Sequence, residues 1–229
     1  MPDLKNIPWK IIPDWLKGNR LHILMYHSIS MNDKDPHATS PVVFEKHMQF
    51  LMNKHVVSFI DGLSRIDLGL PLKDTYVITF DDGLLDFYTT ALPILRSFGF
   101  PVSMFLPTGL MGKTSTWDSY DTTKTLMTWQ QASECQAFNV TFGSHGVAHK
   151  RLTELAGDEL FSELSGSMAD LKSNLENIVP ALAYPGGYFN VSVIYAAIKT
   201  GYDYGLGTAS HWGNGSETDH YKLRRERLK

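Results

Sequence analysis

Two short segments of this 229-residue chain combine side chains that could do chemistry. The first is Asp81-Asp82-Gly83, in which adjacent carboxylates repel each other unless they share a cation or a proton. The second contains His145 and His149, and histidines four residues apart fall on one face of a helical turn, where both imidazoles can converge on one metal ion. One carboxylate and two histidines form a three-ligand site with open positions, which is typical of a catalytic metal centre.

A third segment, Pro185-Gly186-Gly187, could act on a ligand through its backbone. Glycine lets the main chain approach a ligand closely, and exposed N–H groups there could hold an oxyanion. Each segment also has a plainer interpretation, because the glycines fit an ordinary tight turn and the two aspartates fit a solvated turn before a helix. Taken one at a time, the segments leave both interpretations open.

Each of the three segments directly follows a short apolar run that predicts a β-strand. The predicted strands are Leu21–Tyr26, Val56–Phe59, Tyr76–Phe80, Val102–Leu106, Val140–Gly143, Ala181–Tyr184 and Tyr204–Thr208. Helices are predicted between them, over residues 41–53, 128–137, 158–175 and 191–200. Strand–helix alternation repeated about seven times predicts an α/β fold with a parallel, closed or nearly closed barrel. In such barrels the chemistry lies in the loops that follow the strands.

The composition excludes several classes of protein. With 43% hydrophobic and 20% charged residues the chain is globular rather than disordered, and its single cysteine, Cys135, excludes a disulfide scaffold. A net charge of −3 provides no basic field, so we expect no nucleic-acid partner. No apolar run approaches the ~20 residues that span a bilayer, so no transmembrane segment is expected.

The N-terminal residues 1–20 are interpreted as a lead-in segment, and residues 21–229 as one domain. A secretory signal needs roughly 7–15 uninterrupted apolar residues. The apolar residues of the lead-in are instead interrupted by Asp3, Pro8, Pro13 and Asp14. On this basis no signal peptide is recognised, and a cytoplasmic location is expected.

The three segments together resemble the motifs of a known family. Thr79-Phe80-Asp81-Asp82-Gly83, Ser144-His145-x-x-x-His149 and Leu182-Ala183-Tyr184-Pro185-Gly186-Gly187 look like the first three motifs of the polysaccharide deacetylases, also called the NodB-homology domain or carbohydrate esterase family four. Supporting matches follow the same order along the chain, at residues 24–29, 91–95, 105–109 and 223–225. The resemblance covers the chain from Leu21 to Leu228, and it implies an irregular (β/α) barrel with about seven strands.

The resemblance also implies roles for particular residues. Asp82, His145 and His149 would bind a divalent metal, usually zinc, and Asp81 would be the general base. The backbone N–H of Gly186 would help to hold the oxyanion. The expected reaction is hydrolysis of the acetyl group of an N-acetylated sugar or polysaccharide, so the expected partner is an N-acetylated carbohydrate.

The sequence departs from the family pattern at two places. The third motif lacks the arginine that often orients the base, and Arg225 resembles the arginine that deacetylases with the Tyr-Pro form of this motif carry in their last strand. Arg225 is therefore expected to pair with Asp81, while Arg224 and Arg227 are expected to face away. A basic, solvated C-terminal tail is the alternative. The late histidine that supplies the general acid is also missing, and His27 or His211 could replace it.

Substrate contacts are expected from Tyr184, Pro185, Tyr188 and Trp212, although aromatic residues of these loops, including Trp117 and Tyr120, could equally be packing anchors. Two other functions stay open at this point. One is a non-catalytic glycan-binding relative with the same fold, because the usual acid and arginine are missing. The other is an amidase that acts on a small non-sugar amide.

Overall fold

The computed structural model describes residues 18–115, 117, 124–208 and 213–227. The strands within these residues are β1 (Leu21–Tyr26), β2 (Ser28–Ile29), β3 (Ala38–Thr39), β4 (His55–Val56), β5 (Thr75–Phe80), β6 (Val102–Leu106), β7 (Val140–Ser144), β8 (Ile178–Ala183), β9 (Tyr204–Leu206) and β10 (Glu226–Arg227). The α-helices are α1 (Pro41–Leu51), α2 (Phe59–Asp67), α3 (Leu92–Phe98), α4 (Trp129–Cys135), α5 (Gly157–Asn174) and α6 (Val191–Lys199). A π-helical turn, Phe87–Ala91, leads directly into α3.

The main sheet is parallel and runs in the order β10-β1-β5-β6-β7-β8-β9, with the short strand β4 added beside β5. The segment before β10 closes the gap between the two edges. Leu223 forms a parallel bridge with Leu206 of β9, and three residues later Glu226 pairs with Leu24 of β1. The expected irregular (β/α) barrel with about seven strands is therefore confirmed.

Side chains of the strands pack on both faces of the sheet. On the inner face, Phe105, Ala181 and Leu206 form a cluster with Phe59 and Leu63 of α2. On the outer face, a larger cluster joins the strands to α1, α3 and α4. A sheet that is buried on both faces needs nearly continuous apolar strands, which explains why β1 and β6 have the predicted bounds.

Side-chain caps begin the helices where the sequence predicts them. Ser40 accepts the backbone N–H of Val43, and Asn190 accepts that of Val193. Thr128 forms the complete capping box with Gln131. These observations confirm the predicted starts of α1, α4 and α6.

Only Val56 of the predicted strand Val56–Phe59 lies in a strand, β4 (His55–Val56). Ser58 accepts the backbone N–H of Asp61, so Phe59 is the first residue of α2 rather than the last residue of a strand. The helix cap formed by Ser58 outweighs the β propensity of Phe59. Among the described residues, no helix has both the length and the apolar character needed to span a bilayer.

Candidate active site

The three chemical segments meet at one edge of the barrel. Asp81 follows β5, His145 follows β7 and Pro185 follows β8, and parallel neighbouring strands end at the same edge. Backbone hydrogen bonds tie the first two to adjacent strands, since Asp81 N–H donates to Tyr26 and His145 N–H donates to Leu106. The backbone of the barrel therefore positions these segments independently of contacts between their side chains.

Asp82, His145 and His149 form a compact cluster. Oδ1 of Asp82 lies 3.5 Å from Nε2 of His145 and 3.3 Å from Nε2 of His149. One potential ligand atom from each residue lies within 4.8 Å of the others. The Nδ1 of His145 is 2.7 Å from the carbonyl oxygen of Ala183, so it carries the proton and leaves the Nε2 lone pair directed at the cluster.

The cluster fits a divalent metal ion. Asp82 is buried, and its Oδ1 atom has no hydrogen-bond partner among the described residues, which is unfavourable unless a cation satisfies it. Burial alone would raise the pKa of Asp82, but the two histidines hold it well below its ordinary value. The carboxyl is therefore ionised near neutral pH, as a metal ligand must be.

The predicted helical turn between the histidines is wrong. Residues 145–149 form a loop in which Gly146 has φ +79° and His149 has φ +54°. Asp82 is also left-handed, with φ +72°. His145 and His149 still converge, because these left-handed residues turn the loop back toward Asp82. Two of the three candidate ligands thus occupy a backbone region that few non-glycine residues adopt.

Asp81 pairs with Arg225 in the interior. Nη1 and Nη2 of Arg225 donate to Oδ1 and Oδ2 of Asp81, each at 2.7 Å, and Nε donates to the carbonyl of Gly207 at 2.9 Å. Both side chains are buried. Burial would raise the pKa of Asp81, yet Arg225 and His145 together lower it below its ordinary value. The arginine thus holds this carboxylate ionised and fixed in orientation.

The neighbouring arginines lie elsewhere. The guanidinium of Arg224 lies near the carbonyl of Gly213 and the carboxylate of Glu217. Arg227 donates to the carbonyl of Pro36, in the loop between β2 and β3. Arg224 and Arg227 therefore both contact groups other than Asp81, as expected, but alternation along a strand is not the reason, because Arg225 precedes β10 and residues two apart in a strand share a face. The alternative of a solvated tail is also wrong for Arg225, which is fully buried.

Of the two candidate general acids, the structure describes only His27. Its Nε2 lies 3.9 Å from Oδ2 of Asp81, and its ring contacts that of His37. Burial lowers the pKa of His27 to about 4, although Asp82 and Asp81 oppose the shift. His27 is therefore neutral at pH 7. His211 and Trp212 lie outside the described residues, as do Tyr120 and most of the lead-in.

The third segment forms a tight turn, Pro185–Gly187, in which Gly186 has φ +65°. Tyr184 offers no exposed ring for the expected substrate contact, because its side chain is fully buried and its hydroxyl donates to the carbonyl of Tyr221. Pro185 is buried as well. Tyr188 is 51% exposed, and the Arg151 guanidinium lies 4.3 Å from its ring centroid. Tyr188 is therefore the one of these three whose side chain is exposed to solvent.

Two contacts beside the histidines were not predicted. The ring of Trp117 stacks on His149, with centroids 4.1 Å apart. Glu163 of α5 accepts a hydrogen bond from the backbone N–H of Ala148. A signal for Glu163 exists in the sequence, because it falls on the apolar stripe of the helix, where a carboxylate is unexpected. The other buried residues of this helix are Leu160, Leu164, Ser167, Met168 and Leu171, all apolar except Ser167.

Comparisons with known proteins agree with this geometry. The polysaccharide deacetylase family model matches residues 71–205. The Bacillus subtilis protein YxkH, which carries the name of a polysaccharide deacetylase, is 28% identical over 200 residues, covering 85% of this chain and 67% of its own.

Two solved structures share the fold. The Streptococcus pyogenes deacetylase PplD, in complex with acetate, superposes with a TM-score of 0.75 at 25% identity, covering 91% of this chain and 92% of that chain. The structure of IcaB from Ammonifex degensii gives a TM-score of 0.78 at 20% identity, covering 93% of each chain. With the family model matching more than half of its residues, the chain belongs to the polysaccharide deacetylase family, hydrolases of the carbon–nitrogen bonds of acetylated sugars.

Proposed function

We propose that the protein is a divalent-metal-dependent N-deacetylase, in which Asp82, His145 and His149 bind the metal and Asp81 is the general base. The observation that carries this proposal is the position of the Asp81–Arg225 ion pair directly beside the three candidate ligands. A carboxylate held ionised next to a metal site is the arrangement that base-assisted hydrolysis requires.

The chemistry of the side chains follows from this arrangement. A divalent ion, when bound, polarises the acetyl carbonyl and lowers the pKa of a nearby water. Asp81 takes a proton as the oxygen of water attacks the carbonyl carbon, and Arg225 keeps the carboxylate aligned. The backbone N–H of Gly186 would stabilise the oxyanion. The C–N bond then breaks, the amine takes up a proton, and acetate and a free amino sugar leave.

We assign the proton donor for the leaving amine to His27. Its distance of 3.9 Å from Asp81 allows a proton to pass between them after a small movement. Asp81, after taking a proton from the attacking water, would pass it to the neutral His27 and become a carboxylate again; the low pKa of His27 makes the resulting imidazolium a strong proton donor to the leaving amine. For the sugar itself, the exposed ring of Tyr188 offers an aromatic face beside the Pro185–Gly187 turn.

Zinc is the metal we propose, because a site of two imidazoles and one carboxylate with open positions suits it. The relative PplD, solved with acetate, supports the reaction, since acetate is the acid that deacetylation releases. The described residues include one candidate metal cluster of this kind.

The decisive experiment measures acetate release from a panel of N-acetylated oligosaccharides and small N-acetyl amides. The protein is assayed as purified, after chelation, and after chelation followed by added zinc. We expect release from oligosaccharides, its loss with the chelator and its recovery with zinc. Release that is insensitive to chelation would contradict metal dependence, and release only from small amides would favour the amidase. No release from any compound would favour a glycan-binding role.

The matched variant is Asp81→Asn. It should keep the metal and lose about 10²–10⁴-fold in turnover, because the amide cannot accept the proton. Near-normal turnover of Asp81→Asn would show that another group is the base.

A further inference from the structure

We propose that Glu163 is a positioning residue for the metal site: its carboxylate holds the loop between His145 and His149 in the shape that brings both imidazoles to Asp82. This inference rests on the proposed metal site. Glu163 lies on α5 and is not itself a candidate ligand, but its side chain contacts the loop between the two histidines.

The contact is close and buried. Glu163 is 7% exposed, and its Oε1 lies 2.6 Å from the backbone nitrogen of Ala148, the residue before His149. The same oxygen lies against Gly146, where an added Cβ would approach it to 2.9 Å. The carboxylate therefore contacts the loop at two points, one near each histidine.

The rest of the loop is held by the barrel edge. The backbone N–H groups of Thr108 and Gly109 donate to the carbonyls of Gly146 and Val147, at 3.0 and 2.9 Å. The hydroxyl of Ser144 accepts the N–H of Gly146 at 3.0 Å. These contacts secure the first part of the loop, and Glu163 secures its last N–H before His149.

Such an anchor matters because His149 is in the left-handed region, with φ +54°. A non-glycine residue stays in this conformation only when its surroundings impose it. The Ala148 N–H, which is partly buried, would lose its acceptor without the Glu163 carboxylate. Without Glu163, the end of the loop would sample other conformations, and metal binding would have to select the competent one.

The test compares three substitutions of Glu163 in the full chain. Glu163→Gln keeps an acceptor oxygen at the same reach and removes the charge. Glu163→Asp keeps the charge and withdraws the acceptor by one methylene. Glu163→Leu removes both. The matched control is Glu159→Leu, one turn earlier on α5, where the carboxylate is exposed and pairs with Lys150.

The measured quantity is the zinc dissociation constant, obtained by competition with a chromophoric chelator, together with the unfolding midpoint of the metal-free protein. We expect Glu163→Leu and Glu163→Asp to weaken zinc binding by about 10-fold or more, as for other groups that orient a ligand. Glu163→Gln should stay within a few-fold of the wild type, and Glu159→Leu should be unchanged. If Glu163→Leu does not fold, Glu163→Asp and Glu163→Gln still distinguish the effect of the acceptor's position from the effect of its charge.

Three results would overturn the inference. Unchanged zinc affinity in Glu163→Leu or Glu163→Asp, with only the midpoint of the metal-free protein lowered, would show a purely structural role. Equal weakening in Glu163→Gln and Glu163→Leu would show that charge rather than the hydrogen bond matters. A wild-type protein that binds no zinc would overturn the metal site itself, whereas the first two results leave that site standing.

Discussion

Arg225 donates one hydrogen bond to each carboxylate oxygen of Asp81, and both distances are 2.7 Å. The two residues are 144 positions apart and meet only because the segment before β10 closes the barrel. Burying this pair has a desolvation cost that its attraction offsets only with good geometry. The pair is therefore better explained by the ionisation and alignment of Asp81 than by stability.

Substituting Arg225 should change the pH dependence of the reaction. The guanidinium lowers the pKa of Asp81, so Arg225→Ala should raise it and keep the base protonated to a higher pH. The acid limb of the pH profile of kcat/KM should therefore move upward by about one pH unit or more. Turnover should fall while the metal content stays unchanged. Chemical denaturation should show a loss of about 3–5 kcal/mol, because a buried carboxylate loses its partner.

The control for this prediction is Arg224→Ala. The Arg224 guanidinium lies near the exposed Glu217, so its loss should leave the pH profile unchanged. Arg225→Lys should be intermediate, because lysine keeps the charge and lacks the planar pair of donors. Equal effects of Arg224→Ala and Arg225→Ala would contradict a specific role for Arg225.

Removing His149 should reduce metal retention. His149→Ala deletes one of three candidate ligands, and the fold should survive because this side chain lies at the barrel edge, 14% exposed. Elemental analysis should find the purified variant depleted of zinc, with a circular dichroism spectrum like that of the wild type. His55→Ala, which removes an exposed histidine of β4, is the matched control and should retain zinc. Undiminished zinc in His149→Ala would exclude His149 as a ligand.

The largely buried His27 should make the metal-free protein less stable in acid. Its pKa is about 4 in the folded protein and about 6.5 when unfolded, so the unfolded chain binds more protons between these values. Stability should therefore rise with pH across this window and be lost as the pH falls through it. From about pH 7 to about pH 5 the contribution of His27 is roughly 2 kcal/mol.

Urea unfolding at both pH values measures this effect. The wild type should lose about 2 kcal/mol more than His27→Gln on acidification, since glutamine does not titrate. Equal losses in the two proteins would show that His27 is protonated in the folded state. The comparison cancels the titration of the other histidines, which both proteins share.

Gly83→Ala should be more destabilising than Gly99→Ala. Both glycines are left-handed, with φ +62° and +69°, so alanine costs about 1–2 kcal/mol of backbone strain at either position. At Gly83 an added Cβ would also lie 2.6 Å from Cδ2 of Leu106, whereas at Gly99 nothing lies within 4 Å. Overpacking should add about 1–3 kcal/mol at Gly83 alone. Equal losses in chemical denaturation would show that Leu106 moves aside freely.

The fold was predictable from the sequence because its strands are apolar and its helices begin at capping residues. β1 and β6 match the predicted bounds, and the Thr128 cap places α4 correctly. β10 was not predictable in this way. It has only the two residues Glu226 and Arg227, both polar, and only its pairing with β1 makes it a strand.

The candidate site was predictable in its residues but not in its geometry. Asp82, His145 and His149 could be named from their types and motifs, and the structure brings them together. The helical spacing that first suggested the histidines was the wrong reason, because backbone angles within a loop depend on tertiary contacts that local spacing does not report. Tyr184 shows the opposite error, since an aromatic residue in a motif was expected to contact substrate and is instead buried.

The left-handed backbone at Asp82 and His149 restricts how this site could be redesigned. Aspartate, asparagine, histidine and glycine tolerate this region better than other residues, and cysteine is not among them. A thiolate at either position, though acceptable to zinc, would carry about 1–2 kcal/mol of strain. Substituting histidine for Asp82 or aspartate for His149 would avoid this strain. His149→Asp would therefore give a more oxygen-rich site without added backbone strain. Such a site would suit manganese or magnesium better than zinc.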